Sequence, residues 1–283
     1  MAAIAFAALG LSPVYAMPAD AAWSLCLPKE EVVAYRGLAS MDMSAGRDNL
    51  TLYPGPNAGI FAAAIITHGL LADSRIDRAK QALQDKADVV LRPYRPVLKE
   101  YKHAELMQAA LDKTPWGGTK TLATAAQACG TGWVVQSLPL FSMTQDQRAL
   151  VLDNVVSVYA PGEMTRPLYQ SILRVVSQPR MAPDMERYWK DDAGAALKAE
   201  SASLLAHSLV LALQETASPA TGDAPAFRTV RYREGEAEKM ERAQVMSQAC
   251  QRQVIRTLRG WLMSVPVADP SAAACEPALP GWN

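Results

Sequence analysis

The sequence lacks an excess of charge of either sign. Its 283 residues contain 28 Lys plus Arg and 28 Asp plus Glu, so the formal net charge at pH 7 is zero. A nucleic-acid-binding surface needs a basic excess to neutralise phosphates, so the balance argues against nucleic acid as a partner. Apolar residues make up 50% of the chain and charged residues 20%, which is typical of a globular protein.

The signatures of several enzyme classes are also missing. The sequence contains no G-x-S-x-G, no S-x-x-K and no H-E-x-x-H, and its three His stand apart from one another. We therefore expect no cofactor and no bound metal, and we favour a protein that is not an enzyme. The alternative is an envelope hydrolase whose site is assembled from distant residues such as His68, His207, Asp191 and Ser208.

The N-terminus lacks charged side chains through residue 16. An apolar run over residues 2–11 has the length of a signal-peptide core and is shorter than the ~20 residues of a membrane-spanning helix. Pro13 interrupts the run, and Ala16 is a small residue of the kind that signal peptidase reads. We predict a signal peptide over residues 1–16, with cleavage as late as residue 22. Leu25 is too large to precede a lipid-bearing Cys26, so we predict a soluble periplasmic protein without a lipid anchor or transmembrane segment.

Cysteine is rare, and no C-x-x-C pair occurs among the four that are present. This spacing argues against a zinc site and against thioredoxin-type chemistry. An even number of cysteines in an oxidising compartment indicates two disulfides, for which three pairings exist. We favour Cys26–Cys129, which ties the N-terminus to the segment before the first predicted strand, and Cys250–Cys275, which ties down the C-terminal tail.

Periodicity divides the rest of the chain into blocks. Residues 17–56 are predicted to be extended, because Pro and Gly are dense near their end. A single domain is predicted over residues 57–265, followed by a tail rich in Pro and Ala over residues 266–283. Helical spacing of apolar residues predicts helices between 57 and 111 and over 183–215. Alternating apolar residues predict two groups of three strands: 133–143, 147–159 and 170–177, then 227–233, 238–247 and 253–265.

The order of these blocks indicates the α+β class, because strands and helices are segregated along the chain. Short links between strands favour antiparallel pairing. We predict helices that alternate with two antiparallel three-stranded β-meanders, in the order α–βββ–α–βββ. The alternative is one mixed or antiparallel sheet covered by helices. A diverged duplication stays open, since His68 and His207 fall in corresponding helices.

One group of side chains in the second meander suggests a binding site. Four-residue turns over 234–237 and 249–252 would place Thr229 opposite Arg242, and Arg242 opposite Arg259. Clustered guanidinium groups beside an aromatic ring suit a phosphate, a carboxylate or a cell-wall polymer. In the alternative interpretation Glu238 neutralises the face, and a one-residue shift in register would disperse the cluster. The candidate binding residues are Arg231, Arg242, Arg259 and Trp261.

Three segments carry a resemblance to other proteins: LYPGPNAGIF (52–61), TGWVVQSLPLFSMTQDQ (131–147) and RTLRGWLMSVP (256–266). They resemble segments of uncharacterised exported proteins of proteobacteria. The resemblance implies an envelope location, and it implies no activity and no site residues. We therefore expect an exported periplasmic protein that binds or interacts without catalysis. Its partner would be an envelope protein or an anionic cell-wall ligand. Besides the hydrolase, a scaffold or secretion-system component is an alternative. The sequence predicts no oligomeric state.

Overall fold

The computed structural model describes residues 16–39, 74–123, 129, 132–217, 224–249 and 251–268, with side chains of the first helix from residue 81 onward. Several predictions lie outside these residues. They are the signal peptide before residue 16, His68, the Cys250–Cys275 pair and the tail beyond residue 268.

A mixed sheet of ten strands organises the described part of the chain. The spatial order is β3-β1-β4-β5-β6-β10-β9-β8-β7, and β2 pairs with β4 beside this path. The pairs β1–β3, β1–β4, β2–β4 and β6–β10 are parallel, and the others are antiparallel. The strands are β1 (Trp23–Cys26), β2 (Ala34–Gly37), β3 (Lys120–Ala123), β4 (Trp133–Met143), β5 (Leu150–Tyr159), β6 (Tyr169–Val176), β7 (Arg228–Glu234), β8 (Ala237–Ala249), β9 (Arg252–Thr257) and β10 (Leu262–Pro266).

The predicted α–βββ–α–βββ layout is wrong, although the α+β class still fits loosely. The two strand groups are not separate meanders, because β6 and β10 pair in parallel and join them into one sheet. The third strand of the second group also divides into β9 and β10, with Gly260 at a φ of 79° in the turn between them. Three short strands, β1 to β3, extend the other side. The described residues therefore form one mixed sheet.

The helical elements fall between the strands in chain order. Within the helical region predicted up to residue 111, the helix is broken near residue 101, because Lys102 forms a β-bridge with Val32. The main-chain oxygen of Tyr101 also accepts a hydrogen bond from the amide of Val33. The elements are α1 (Ser74–Ala87), a 3₁₀ helix (Asp88–Tyr94), α2 (Arg95–Glu100), α3 (His103–Lys113) and α4 (Met185–Ala217).

Helix α4 covers one face of β5 and β6. Asp184 precedes the helix and accepts a hydrogen bond from the amide of Arg187, which is an N-capping contact. Residues 191–194 leave the helical conformation, and Gly194 has a φ of 79°. A Cβ at Gly194 would lie 2.5 Å from Val97 Cγ1, so glycine permits the close approach of α2. The helix beyond this kink buries a row of leucines: Leu197, Leu204, Leu205, Leu209 and Leu213.

Among the described helices, α4 is long and apolar enough to cross a membrane by length and composition alone. In the structure, most of its apolar part is buried within the protein. The leucines pack with Leu152, Val156 and Leu173 of the sheet in one apolar cluster. Each buried leucine contributes about 1.5–3 kcal/mol relative to an exposed one, so this helix–sheet interface stabilises the fold.

The predicted disulfide Cys26–Cys129 is confirmed, with Cα atoms 5.8 Å apart. Cys26 ends β1, and Cys129 lies shortly before β4. The bond therefore links two parts of the chain that are adjacent in the sheet but 103 residues apart in sequence.

Candidate functional site

The last four strands of the sheet curl back on themselves. Tyr232 of β7 forms an antiparallel bridge with Val267, which follows β10. The side-chain amide of Gln253 on β9 also donates to the main-chain oxygen of Arg231 on β7, at 2.9 Å. An apolar cluster fills the inside of this curl: Val151, Val176, Val230, Tyr232, Ala243, Ile255, Met263 and Val265. No helix is needed on this side, because the strands cover one another.

The curl brings the β7–β8 turn against the β4–β5 turn, and Asp146 joins the two. Its Oδ2 accepts the amide of Glu236 at 2.6 Å, and its Oδ1 accepts the amide of Arg148 at 2.9 Å and the hydroxyl of Thr144 at 2.5 Å. Gly235 has a φ of 65°, and a Cβ there would lie 2.5 Å from Asp146 Oδ2. Glycine is therefore required both by the two-residue hairpin turn and by the carboxylate beside it.

The hydrogen bonds to Asp146 also set its ionisation. Burial alone would raise the pKa of this carboxyl, but the donors from Thr144, Arg148 and Glu236, with the charge of Arg148, outweigh burial and lower the pKa. Asp146 is therefore charged at neutral pH and holds the two turns together through charge-assisted hydrogen bonds.

Five connections meet at this end of the sheet and surround a groove of about 560 Å³. They are the β4–β5, β7–β8 and β8–β9 turns, the segment after β6 and the segment after β10. The volume falls within the ~300–1,000 Å³ of typical ligand-binding clefts. We call this feature the loop-end groove. Its lining residues are Arg148, Gln178, Pro179, Met181, Arg233, Gly235, Glu236, Gln251, Val267 and Ala268.

The two arginines of the loop-end groove have different partners. Arg148 Nη1 lies 2.8 Å from Glu236 Oε1 and 3.3 Å from the sulfur of Met181. Arg233 has no carboxylate partner among the described residues. It donates through Nε to the main-chain oxygen of Ala268 at 3.4 Å and through Nη1 to that of Glu236 at 3.3 Å. These contacts orient the guanidinium and leave Nη2 without a hydrogen bond to any described residue.

Behind the loop-end groove, the inner face of the sheet contains a buried ion network. Arg174 donates to Asp153 through two parallel bonds, of 2.6 and 2.8 Å, and Arg36 Nη2 approaches the same carboxylate at 3.3 Å. Burial would raise the pKa of Asp153, but the two arginines outweigh it and lower the pKa. Nearby Glu234 shows the opposite balance. Burial raises its pKa, and Arg174 and Lys239 only partly offset that effect.

The structure places the four predicted binding residues in two groups. Arg231 and Arg242 lie on the outer, exposed face of the β7–β8 hairpin, and Thr229 pairs with Arg242 as predicted. Arg231 contacts Glu238 at 3.2 Å. Arg259 lies instead in the β9–β10 turn, with its guanidinium carbon 5.8 Å from the centre of the Trp261 ring.

The predicted pairing of Arg242 with Arg259 is wrong because of a β-bulge. Ala249 pairs with Arg252 as predicted, but an extra residue between Val245 and Ser247 shifts the register of β8 against β9 by one. Thr257 then pairs with Ala243 and ends β9. Arg259 therefore falls beyond the paired strand.

No family model, no curated protein and no solved structure matches this chain.

Of the residues suggested for a hydrolase, the three that the structure describes form no catalytic group. Ser208 is fully buried; its hydroxyl donates to the main-chain oxygen of Leu205 and accepts from Asn154, both at 2.8 Å. Burial, together with the charge of Arg252, lowers the pKa of His207 to about 3. Asp191 lies outside on the exposed surface and pairs with Arg187 at 3.0 Å. Ser208 therefore belongs to a buried structural network.

The sequence patterns do not single out Asp146, Arg148 or Arg233. The turn predicted over 234–237 is correct, and Gly235 marks it. The missing information was non-local. The parallel pairing of β6 with β10 joins the two strand groups into one sheet, and the curl fastened by the Tyr232–Val267 bridge then folds the β7–β8 turn back onto the β4–β5 turn.

Proposed function

We propose that the protein is exported to the periplasm and acts there by binding a partner in the loop-end groove. The partner is an envelope protein or a cell-wall component that carries anionic groups. The observation that carries the proposal is the convergence of five connections around a groove that contains an uncompensated arginine, Arg233. Binding sites are concentrated on loops that a rigid scaffold positions, and this end of the sheet has that construction.

The chemistry of the loop-end groove favours binding over catalysis. Its lining contains amides, a thioether, arginines and one carboxylate, and no Ser, Cys, His or Lys among the described residues. A nucleophile paired with a general base is the usual requirement for hydrolysis by a protein side chain. An Arg fork, in contrast, recognises carboxylates and phosphates without a chemical step.

The periplasmic part of the proposal is supported by the predicted signal peptide and by the Cys26–Cys129 disulfide, since such bonds persist in oxidising compartments. Cell fractionation with sequencing of the mature N-terminus tests it. We expect a periplasmic protein that begins after residue 16 and no later than residue 23. Recovery of the full-length protein in the cytosol would contradict export.

Photo-crosslinking from the loop-end groove tests the binding function. Met181 lines the groove and is 78% exposed, so a photoreactive amino acid there should crosslink to the partner in envelope extracts. The matched control is the same substitution at Leu168, which is 41% exposed in the β5–β6 connection at the opposite end of the sheet. We expect one partner that crosslinks from position 181 and not from 168. Equal crosslinking from both positions would contradict the groove as the site.

A further inference from the structure

We propose that the loop-end groove binds an extended peptide segment through an acidic side chain, whose carboxylate pairs with Arg233. This inference rests on the binding function proposed above and names the chemical class of its ligand.

The charges around the loop-end groove leave two cations uncompensated within the described residues. Of the four arginines on this surface, Arg148 is paired with Glu236 and Arg231 with Glu238. Arg233 in the groove contacts only main-chain oxygens, and Arg242 on the adjoining hairpin face has no ion-pair partner among these residues. A ligand that carries carboxylates would pair with these two arginines, whereas a basic or neutral ligand would not.

Arg233 is partly oriented before any ligand arrives. Long hydrogen bonds, of 3.3 and 3.4 Å, join two of its nitrogens to the main-chain oxygens of Glu236 and Ala268, and Nη2 is left to donate. A guanidinium that is already oriented loses less conformational entropy when it binds a carboxylate. Arg148 differs, because Glu236 already accepts from it at 2.8 Å. The ligand's carboxylate should therefore depend on Arg233 more than on Arg148.

The remaining lining suits a peptide better than a nucleic acid. Gln178 and Gln251 offer amide donors and acceptors that complement peptide groups, and Met181 and Val267 offer apolar contact for aliphatic side chains. No lining residue among those described is aromatic, so the stacking on which single-stranded nucleic acids depend is missing here. Glu236 would also repel a polyphosphate backbone.

Selection from a random peptide library on the immobilised full-length protein tests the inference. We expect enriched sequences with Asp or Glu at a recurring position. Replacing that residue with Asn or Gln should weaken binding at least about tenfold, as for the loss of a charge-assisted contact. Arg233→Ala should weaken binding to a similar extent, and Arg233→Lys to a lesser one, because Lys retains the charge but not the planar fork.

The matched control is Arg166→Ala, which removes the same charge from the β5–β6 connection at the far end of the sheet. It should change affinity by less than about twofold, since isolated surface charges contribute little. Thermal unfolding of each variant verifies that it is folded. Enriched peptides that lack acidic residues but lose binding with Arg233→Ala would overturn the ligand class and leave the binding function standing. Enrichment that is insensitive to Arg233→Ala, or no enrichment, would overturn the acidic-peptide inference; a crosslink from position 181 would then decide the binding function separately.

Discussion

The two halves of the sheet bury their apolar faces in different ways. Strands β4 to β6 are covered on one face by α4, and their interface is mostly leucine and valine. Strands β7 to β10 have their inner face covered by their own curl. The outer face of the β7–β8 hairpin is left to solvent, with Met240 64% exposed, whereas β10 is buried along its whole length. In the half that α4 covers, the helix shields the apolar face, so the loops of that half do not have to meet. In the curled half, turns from distant strands have to meet, and the loop-end groove is the result.

Two neighbouring residues of β5 show this difference at one point. Asn154 faces α4 and joins Ser137 and Ser208 in a neutral buried network. Asp153 faces the inner side and holds Arg36 and Arg174. Arg174 pairs with Met263 where β6 meets β10, so the ion network lies at the junction of the two halves. Charge is concentrated on the side of the sheet that leads to the groove.

The largest effect should come from Asp153→Ala. This substitution leaves two largely buried arginines without their carboxylate, and breaking such a pair costs about 3–5 kcal/mol of unfolding free energy. The matched variant is Asn154→Ala, which should cost about 1–3 kcal/mol, because its neutral partners lose only hydrogen bonds. Urea denaturation of both proteins measures the difference. Equal losses would contradict the distinction between the two faces.

The next largest effect concerns the helix-covered half. Cys26→Ser removes a bond that closes a long loop, and the expected cost is about 2–4 kcal/mol. Reduction of the wild-type protein should lower the thermal midpoint at least as far as Cys26→Ser does, and further if the predicted second disulfide also stabilises the fold. No drop on reduction would contradict stabilisation by Cys26–Cys129.

The second bond, Cys250–Cys275, stays a prediction. The amide of Val267 donates to the main-chain oxygen of Gln251 at 2.9 Å, so the start of the tail lies beside the turn that follows residue 250. Non-reducing peptide mapping should recover Cys250 linked to Cys275 and Cys26 linked to Cys129. Free thiols at 250 and 275 would exclude the second pairing.

A smaller effect on stability is expected at Asp146, which joins the β4–β5 and β7–β8 turns. Asp146→Ala leaves the amides of Arg148 and Glu236 without their acceptor, at a cost of about 1–3 kcal/mol. Glu163→Ala is the matched control, since that carboxylate also accepts amides of its own connection, at the other end of the sheet. Only Asp146→Ala should also weaken ligand binding to the loop-end groove.

The contribution of Asp146 to stability should also depend on pH. Because folding lowers the pKa of this carboxyl, its contribution to the free energy of unfolding should be lost as pH falls below about 4, the pKa of Asp in the unfolded chain.

The smallest effect should be an increase in stability, caused by Glu234→Gln. Burial raises the pKa of Glu234, so the folded protein binds a proton more tightly than the unfolded chain, and stability falls as pH rises above the unfolded value of about 4.3. Glu234→Gln should therefore increase stability at pH 7. The increase should vanish below about pH 4, where both states are protonated. Denaturation at several pH values measures it, and a loss of stability at pH 7 would show that the ion pairs outweigh burial.

Local features of this fold could be predicted from the sequence and non-local ones could not. The alternation over 133–143 matches β4, and the turn around Gly235 is correct, because both depend on neighbouring residues. Strands β1 to β3 have four residues each, too few for a periodic signal.

The candidate site was missed for a related reason. The β7–β8 turn reaches Asp146 only when β6 pairs with β10 and the hairpin then curls back over the sheet, and sequence spacing carries no information about either step. The bulge near Met246 adds one residue to β8 and moves Arg259 out of register with Arg242. A single inserted residue is invisible to a pattern with a period of two.

Hydrogen–deuterium exchange with and without a selected acidic peptide tests the central claim most directly. We predict that the peptide slows exchange in the five connections around the loop-end groove, at 144–149, 177–181, 233–236, 251 and 267–268, and leaves the buried part of α4 over 197–213 unchanged. Protection confined to the outer face of the hairpin or to α4, with the groove connections unaffected, would contradict the claim that the curled half of the sheet forms the binding site.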